Sequence, residues 1–116
     1  MAGPQAQVRR VDERSVDAVC QMWTQQRDER AQSEVGLRRV GIDQVRAALL
    51  RPETIAFAAF VDGTAVGYAV LSDCSLDPFS ESACVSIEQL YVVKDARRQG
   101  VARALLTTVA AFADRH

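Results

Sequence analysis

The chain has a single histidine, His116, and only three cysteines, Cys20, Cys74 and Cys84. An odd number of cysteines with no CxxC or other metal-ligand spacing argues against a zinc site or a disulfide framework. Free, buried thiols are the expected state. With one histidine at the last position, a Ser/His or Cys/His catalytic pair and a histidine-bound metal are both excluded as leading readings. A basic excess is missing too. Lys and Arg number 14, Asp and Glu 15, and the formal net charge is −1. A nucleic-acid partner normally requires a surplus of positive charge to displace counterions from phosphates. No apolar run approaches membrane-spanning length. The opening stretch MAGPQAQVRRVDERS has no apolar core of signal-peptide size. The expectation is a soluble, cytoplasmic protein that meets neither nucleic acid nor membrane. Internal repeats and low-complexity segments are lacking, as are the Gly-Lys-Ser/Thr of a phosphate-binding Walker loop and the GxGxxG of a dinucleotide fold.

What the chain does have is an ordinary globular balance, 48% hydrophobic and 25% charged over 116 residues. That is room for one domain, residues 1–116. Gln7–Val11 reads as a short strand, and Asp12 as a helix N-cap. Val16, Val19, Cys20 and Trp23 follow at the spacing of one helical face, with Trp23 as core. The charged stretch from Thr24 to Gly41 reads as a frayed helix end and a loop. Asp43 is a second candidate N-cap before Val45, Ala48 and Leu49, and Pro52 closes that helix. TIAFAAFV (54–61) and TAVGYAVL (64–71) flank Asp62-Gly63, a strong hairpin signal because the tight turn needs positive φ. ACVSIEQLYVV (83–93) is a further strand, and from Val101 the residues Val101, Ala104, Leu105, Val109 and Phe112 share a helical side. The predicted order is β-α-α-β-β-β-α, helices layered on a sheet.

Between the last strand and the last helix stands Arg97-Arg98-Gln99-Gly100-Val101-Ala102. The first turn of a helix carries backbone N–H groups without internal partners, and with the helix dipole these make an anion site. Gly100 has no Cβ to keep a phosphate from the backbone. Arg97 and Arg98 add positive charge, either as phosphate partners or as a solvated pair. The bare pattern Arg/Gln-x-x-Gly-x-Gly/Ala arises by chance in about one chain in ten. Its setting, a strand before it and an amphipathic helix after it, gives it weight.

In that setting IEQLYVVKDARRQGVARALL (87–106) resembles the coenzyme A-binding motif of the GCN5-related N-acetyltransferases, the GNAT family. The preceding element order is similar to the same family's N-terminal half. The resemblance implies an α/β (α+β) fold with a mostly antiparallel sheet and helices on both faces. It implies acetyl-CoA as co-substrate and transfer of the acetyl group to an amine of a small molecule or protein. By the same resemblance, the backbone of Leu90, Tyr91 and Val92 lines the pantetheine arm. The loop Arg97, Arg98, Gln99, Gly100, Val101 and Ala102 holds the pyrophosphate. Glu88 is the candidate general base. A carboxylate on an apolar strand is costly unless partnered, and desolvation should raise its pKa. The family often has a Glu at this point. The alternative is that Glu88 reaches solvent or pairs with an arginine. Tyr68 and Tyr91 read as core. Asp73, Asp77 and Glu81 make an acidic loop, either solvated or attractive to a cationic amine.

Fourteen residues follow Ala102, enough for the helix alone. The family continues with further strands and a helix that carries its usual tyrosine acid, so these C-terminal parts are expected to be missing and the domain truncated. An uncovered strand edge would favour self-association into a homo-oligomer. A non-catalytic acyl-CoA-binding or interaction module is the alternative to an enzyme.

Overall fold

A computed structural model describes residues 6–31, 41–73 and 85–115. Strand β1 (Gln7–Arg10) is followed by helices α1 (Val16–Ala31) and α2 (Ile42–Leu49). Strands β2 (Ile55–Val61), β3 (Thr64–Asp73) and β4 (Val85–Val92) come next, then helix α3 (Val101–Asp114). The strands lie in the order β1-β2-β3-β4 with every neighbour antiparallel. This is the expected β-α-α-β-β-β-α sequence of elements.

Local chemistry accounts for most boundaries. Asp12 Oδ1 accepts from the amides of Arg14 (2.9 Å) and Ser15 (3.1 Å) ahead of α1. The amide of Arg14 is the main cause holding its carboxyl below the usual aspartate value. The N-cap of α2 is Gly41 rather than Asp43, which falls in the first turn. Gln44 Oε1, from the third helical residue, accepts from the Gly41 amide at 3.1 Å, and no side chain caps the first-turn amides as Asp43 was expected to do. At the other end, Thr54 Oγ1 donates to the Ala48 carbonyl at 2.7 Å. The hairpin turn has φ of 51° at Asp62 and 78° at Gly63, the left-handed pair that the Asp-Gly signal requires.

Helix α1 outruns its apolar stripe. It continues to Ala31, through a segment expected to fray. Its polar residues are used: Gln26 is buried and accepts from the Tyr68 hydroxyl, and Glu29 reaches two residues of β4 and the loop after it. Residues 32–40 lie outside the described residues, as do Cys74, Asp77, Glu81, Cys84 and His116.

The sheet has a packed layer on each face. On one, Val16, Val19 and Cys20 of α1 and Leu49 of α2 meet Ala56, Ala58, Tyr68 and Tyr91. On the other, Val101, Leu105 and Val109 of α3 meet Phe57, Ala59, Ala69 and Leu71. Helices therefore cover both faces. Burial pushes the Cys20 thiol up from its ordinary value, which disfavours the reactive thiolate. Gly67 on β3 packs tightly beneath α3. A Cβ there would stand 3.0 Å from the Tyr91 carbonyl oxygen and 3.0 Å from Val101 Cγ1. Among the described residues, β4 is an edge strand.

Candidate active site at the β4–α3 junction

Strand β4 pairs regularly with β3 from Val92 back to Gln89. There the register slips: Val70 faces Gln89, whereas Leu71 faces Ile87. Glu88 is the extra residue, the apex of a β-bulge. A bulge bends its strand and re-aims a side chain. Glu88 is exposed, so the desolvation expected for it from the apolar strand is not found. The cause is the position of β4 at the sheet edge, which also leaves Ile87 at 43% and Leu90 at 38% exposure. One carboxylate oxygen, Oε1, accepts from Ser72 Oγ of β3 at 2.6 Å. That is the partner the sequence could not supply, because the pairing depends on the register of two strands.

Beyond β4, Lys94–Ala96 form one turn of 3-10 helix. The chain then passes through two left-handed residues, Arg98 (φ 69°) and Gly100 (φ 81°). Gly100 is the N-cap of α3 and makes no side-chain cap. The amides of Val101, Ala102 and Arg103 open the helix without intrahelical partners. A Cβ built on Gly100 would meet nothing within 4 Å, so the space beside this glycine is open. Arg98, Gln99, Gly100 and Ala102 are exposed and Val101 is buried. Gln99 Nε2 donates to the Asp95 carbonyl at 3.3 Å, bracing the loop from within.

The two arginines, expected as a pair, diverge. Arg97 turns back toward α1, donating from Nη2 to Glu29 Oε2 at 2.8 Å and from Nε to the Val92 carbonyl at 2.9 Å. Its guanidinium carbon lies 5.6 Å from the centre of the Tyr91 ring. The Tyr91 hydroxyl completes the cluster, donating to Glu29 Oε1 at 2.8 Å. The Arg97 hydrogen bond is the main cause that holds the Glu29 carboxyl below the usual glutamate value. Desolvation first, then its bond to Glu29, pushes the Tyr91 hydroxyl up. Tyr91 and Tyr68 are both core, as expected. Glu29 carries no signature in the sequence that ties it to a loop 68 residues later.

The junction thus combines a bulged, half-exposed edge strand, a carboxylate at its bulge and an uncapped helix start entered through a left-handed glycine. The Acetyltransferase (GNAT) family profile matches residues 16–116. The chain belongs to the GNAT acetyltransferase family. Within the curated relatives of this GNAT chain, an aminoglycoside N(6')-acetyltransferase type 1 of Klebsiella aerogenes is 34% identical over 92 residues. That match covers 75% of this chain and 54% of the relative, so the chain spans about half the length of the protein it resembles. Among solved structures, a ribosomal-protein-alanine N-acetyltransferase from Brucella melitensis biovar Abortus superposes with a TM-score of 0.80 at 22% identity. It covers 96% of this chain and 73% of that one. An aminoglycoside N-acetyltransferase in complex with CoA superposes with a TM-score of 0.75 at 20% identity, covering 97% of this chain and 72% of that one. At these identities the structures establish the GNAT fold.

Proposed function

We propose that this chain is the acyl-CoA-binding part of an N-acetyltransferase that moves an acetyl group from acetyl-CoA to an amine. The observation that carries the reading is the start of α3. Its amides have no side-chain cap and follow a left-handed Gly100 with open space beside it, in the loop that leaves the edge of β4. Such a helix start is suited to a pyrophosphate by both free donors and dipole. In this reading the backbone of Arg97–Ala102 receives the pyrophosphate and the exposed Arg98 supplies the neutralising charge. Arg97 instead anchors the loop through Glu29. The β4 edge at Leu90, Tyr91 and Val92 receives the pantetheine arm, since an edge strand leaves backbone donors and acceptors for an extended ligand.

Glu88 is the general base. It takes a proton from the ammonium group, directly or through a water. The freed nitrogen lone pair attacks the thioester carbonyl, a C–N bond forms and the C–S bond breaks; coenzyme A leaves with the sulfur electrons and takes up the second proton that the nitrogen sheds in becoming an amide. Ser72 fixes the carboxylate that accepts the proton. Backbone N–H groups of the bulged edge would stabilise the oxyanion in this reading.

The acceptor amine, a cytoplasmic setting consistent with the free thiol of Cys20, and self-association through the β4 edge belong to the same reading. No described helix is long and apolar enough to cross a membrane. The relatives named for aminoglycoside and ribosomal-protein substrates support acetyl transfer to an amine as the reaction class.

Calorimetric titration of acetyl-CoA tests the cofactor half of the proposal. Micromolar binding is expected, and a folded chain that does not bind refutes it. Acetylation of a panel of amines tests the catalytic half. Glu88→Gln should lower kcat by about 10²-fold with acetyl-CoA affinity unchanged, the loss expected for a general base. Unaltered turnover would remove Glu88 from the mechanism.

A further inference from the structure

A cavity of about 510 Å³ lies between α1, α2 and the face of the sheet that carries β3 and β4. That is within the size range of small-molecule sites. Its walls are mostly apolar, with Val19, Trp23, Val45, Leu49 and Val70 among them. One carboxylate, that of Glu53, lines it, and no lysine or arginine does so among the described residues. Ser72 forms part of the wall, and its hydroxyl is the group that holds Glu88 at 2.6 Å. Through Ser72 the cavity is connected to the Glu88 carboxylate, so a ligand whose apolar body fills it can direct its polar end to that carboxylate.

We propose that this cavity takes the body of the acceptor, and that the acceptor is a primary amine with one positive charge on an apolar aryl or branched-alkyl frame. The proposal rests on the acetyltransferase reading and narrows its substrate class. Apolar walls reward burial of such a frame, at roughly 25 cal/mol per Å² of apolar surface. A cationic end is tolerated because the described wall carries no lysine or arginine, and Glu53 in that wall and Glu88, held by Ser72, supply carboxylates to match it. A polyamine sugar is disfavoured by the same walls. Each of its several ammonium and hydroxyl groups must be stripped of water and re-partnered, whereas the surface of the described walls is mostly apolar. In the reaction the ammonium group gives one proton to Glu88, its nitrogen gains the acetyl group, and the second proton it sheds goes to the departing coenzyme A thiolate.

Trp23 is the only tryptophan of the chain and lines the cavity, so its fluorescence reports occupancy directly. The full chain, with and without saturating coenzyme A, is titrated with 2-phenylethylamine and with kanamycin. The expected result is a saturable change in Trp23 emission with phenylethylamine, at least tenfold tighter than any response to kanamycin. Val70→Asp, which puts a charge in the wall, should weaken phenylethylamine at least tenfold. Ala48→Phe, which fills the space, should do the same and replaces Val70→Asp if that variant does not fold. Kanamycin binding as tight as phenylethylamine, or no phenylethylamine response in a chain that binds acetyl-CoA normally, overturns the proposal. Phenylethylamine binding in a chain that neither binds nor turns over acetyl-CoA would instead overturn the acetyltransferase reading and, with it, the acceptor assignment.

Discussion

At the scale of single residues, Glu29 does most to explain how the loop after β4 is held. Its two carboxylate oxygens are shared between Tyr91 of the strand and Arg97 of the loop. One side chain of α1 thereby fixes the end of β4 and the start of the loop together. Its folded-state pKa lies below the ordinary 4.5. A lowered carboxylate pKa means that the stabilisation is fully present above the unfolded value and is lost as pH falls through the folded one. Urea unfolding of the parent chain and of Glu29→Gln should therefore differ at pH 7. The two midpoints should converge as the pH is lowered below 4.5. A gap that persists unchanged at pH 3 would mean that the ionised pair is not what Glu29 contributes. None of this could be read from sequence. The motif showed two adjacent arginines, and only the path of α1 past its apolar stripe decides that Arg97 turns inward while Arg98 faces solvent.

At the scale of elements, the hairpin was the most legible feature, because Asp62-Gly63 carries its own backbone requirement and the flanking runs carry their own periodicity. The bulge at Glu88 was not legible. A bulge is a mismatch between two strands, and neither Val70-Leu71 nor Ile87-Glu88-Gln89 shows it alone. The exposure of β4 was hidden for a related reason: its residues are apolar enough for a central strand, but its rank in the sheet is set by topology. Gly67 was similarly silent, one glycine within a strand. In the fold it lies against Val101 and Leu105 of α3 with no room for a Cβ. Gly67→Val should lift α3 from the sheet and lower stability by about 1–3 kcal/mol, the usual penalty of overpacking. For a chain of 116 residues that is a fall in Tm of roughly 4 °C per kcal/mol. Because α3 begins at the cofactor loop, acetyl-CoA affinity should fall in the same variant. A stable chain with full affinity would show that the helix has room the geometry denies it.

At the scale of the whole molecule, the two packed layers share one sheet, and the proposed cofactor site lies where β4 passes into α3. Binding to the folded chain alone raises stability by mass action, about 2.7 kcal/mol at a hundredfold excess over Kd. Acetyl-CoA at that excess should therefore raise Tm by roughly 10 °C or more. The increment should survive in Leu49→Ala. That change lies in the layer opposite α3 and lowers the baseline by about 2–5 kcal/mol without touching the loop. Gly100→Glu should behave in the opposite way. Its side chain enters open space, so the baseline falls by only the cost of a left-handed residue, about 1–2 kcal/mol. The new carboxylate would stand in front of the α3 amides, and the acetyl-CoA increment should vanish. Two thermal scans of each variant, with and without acetyl-CoA, separate damage to the fold from damage to the site. An undiminished increment in Gly100→Glu would move the phosphate site away from the start of α3, whatever the family's other members do.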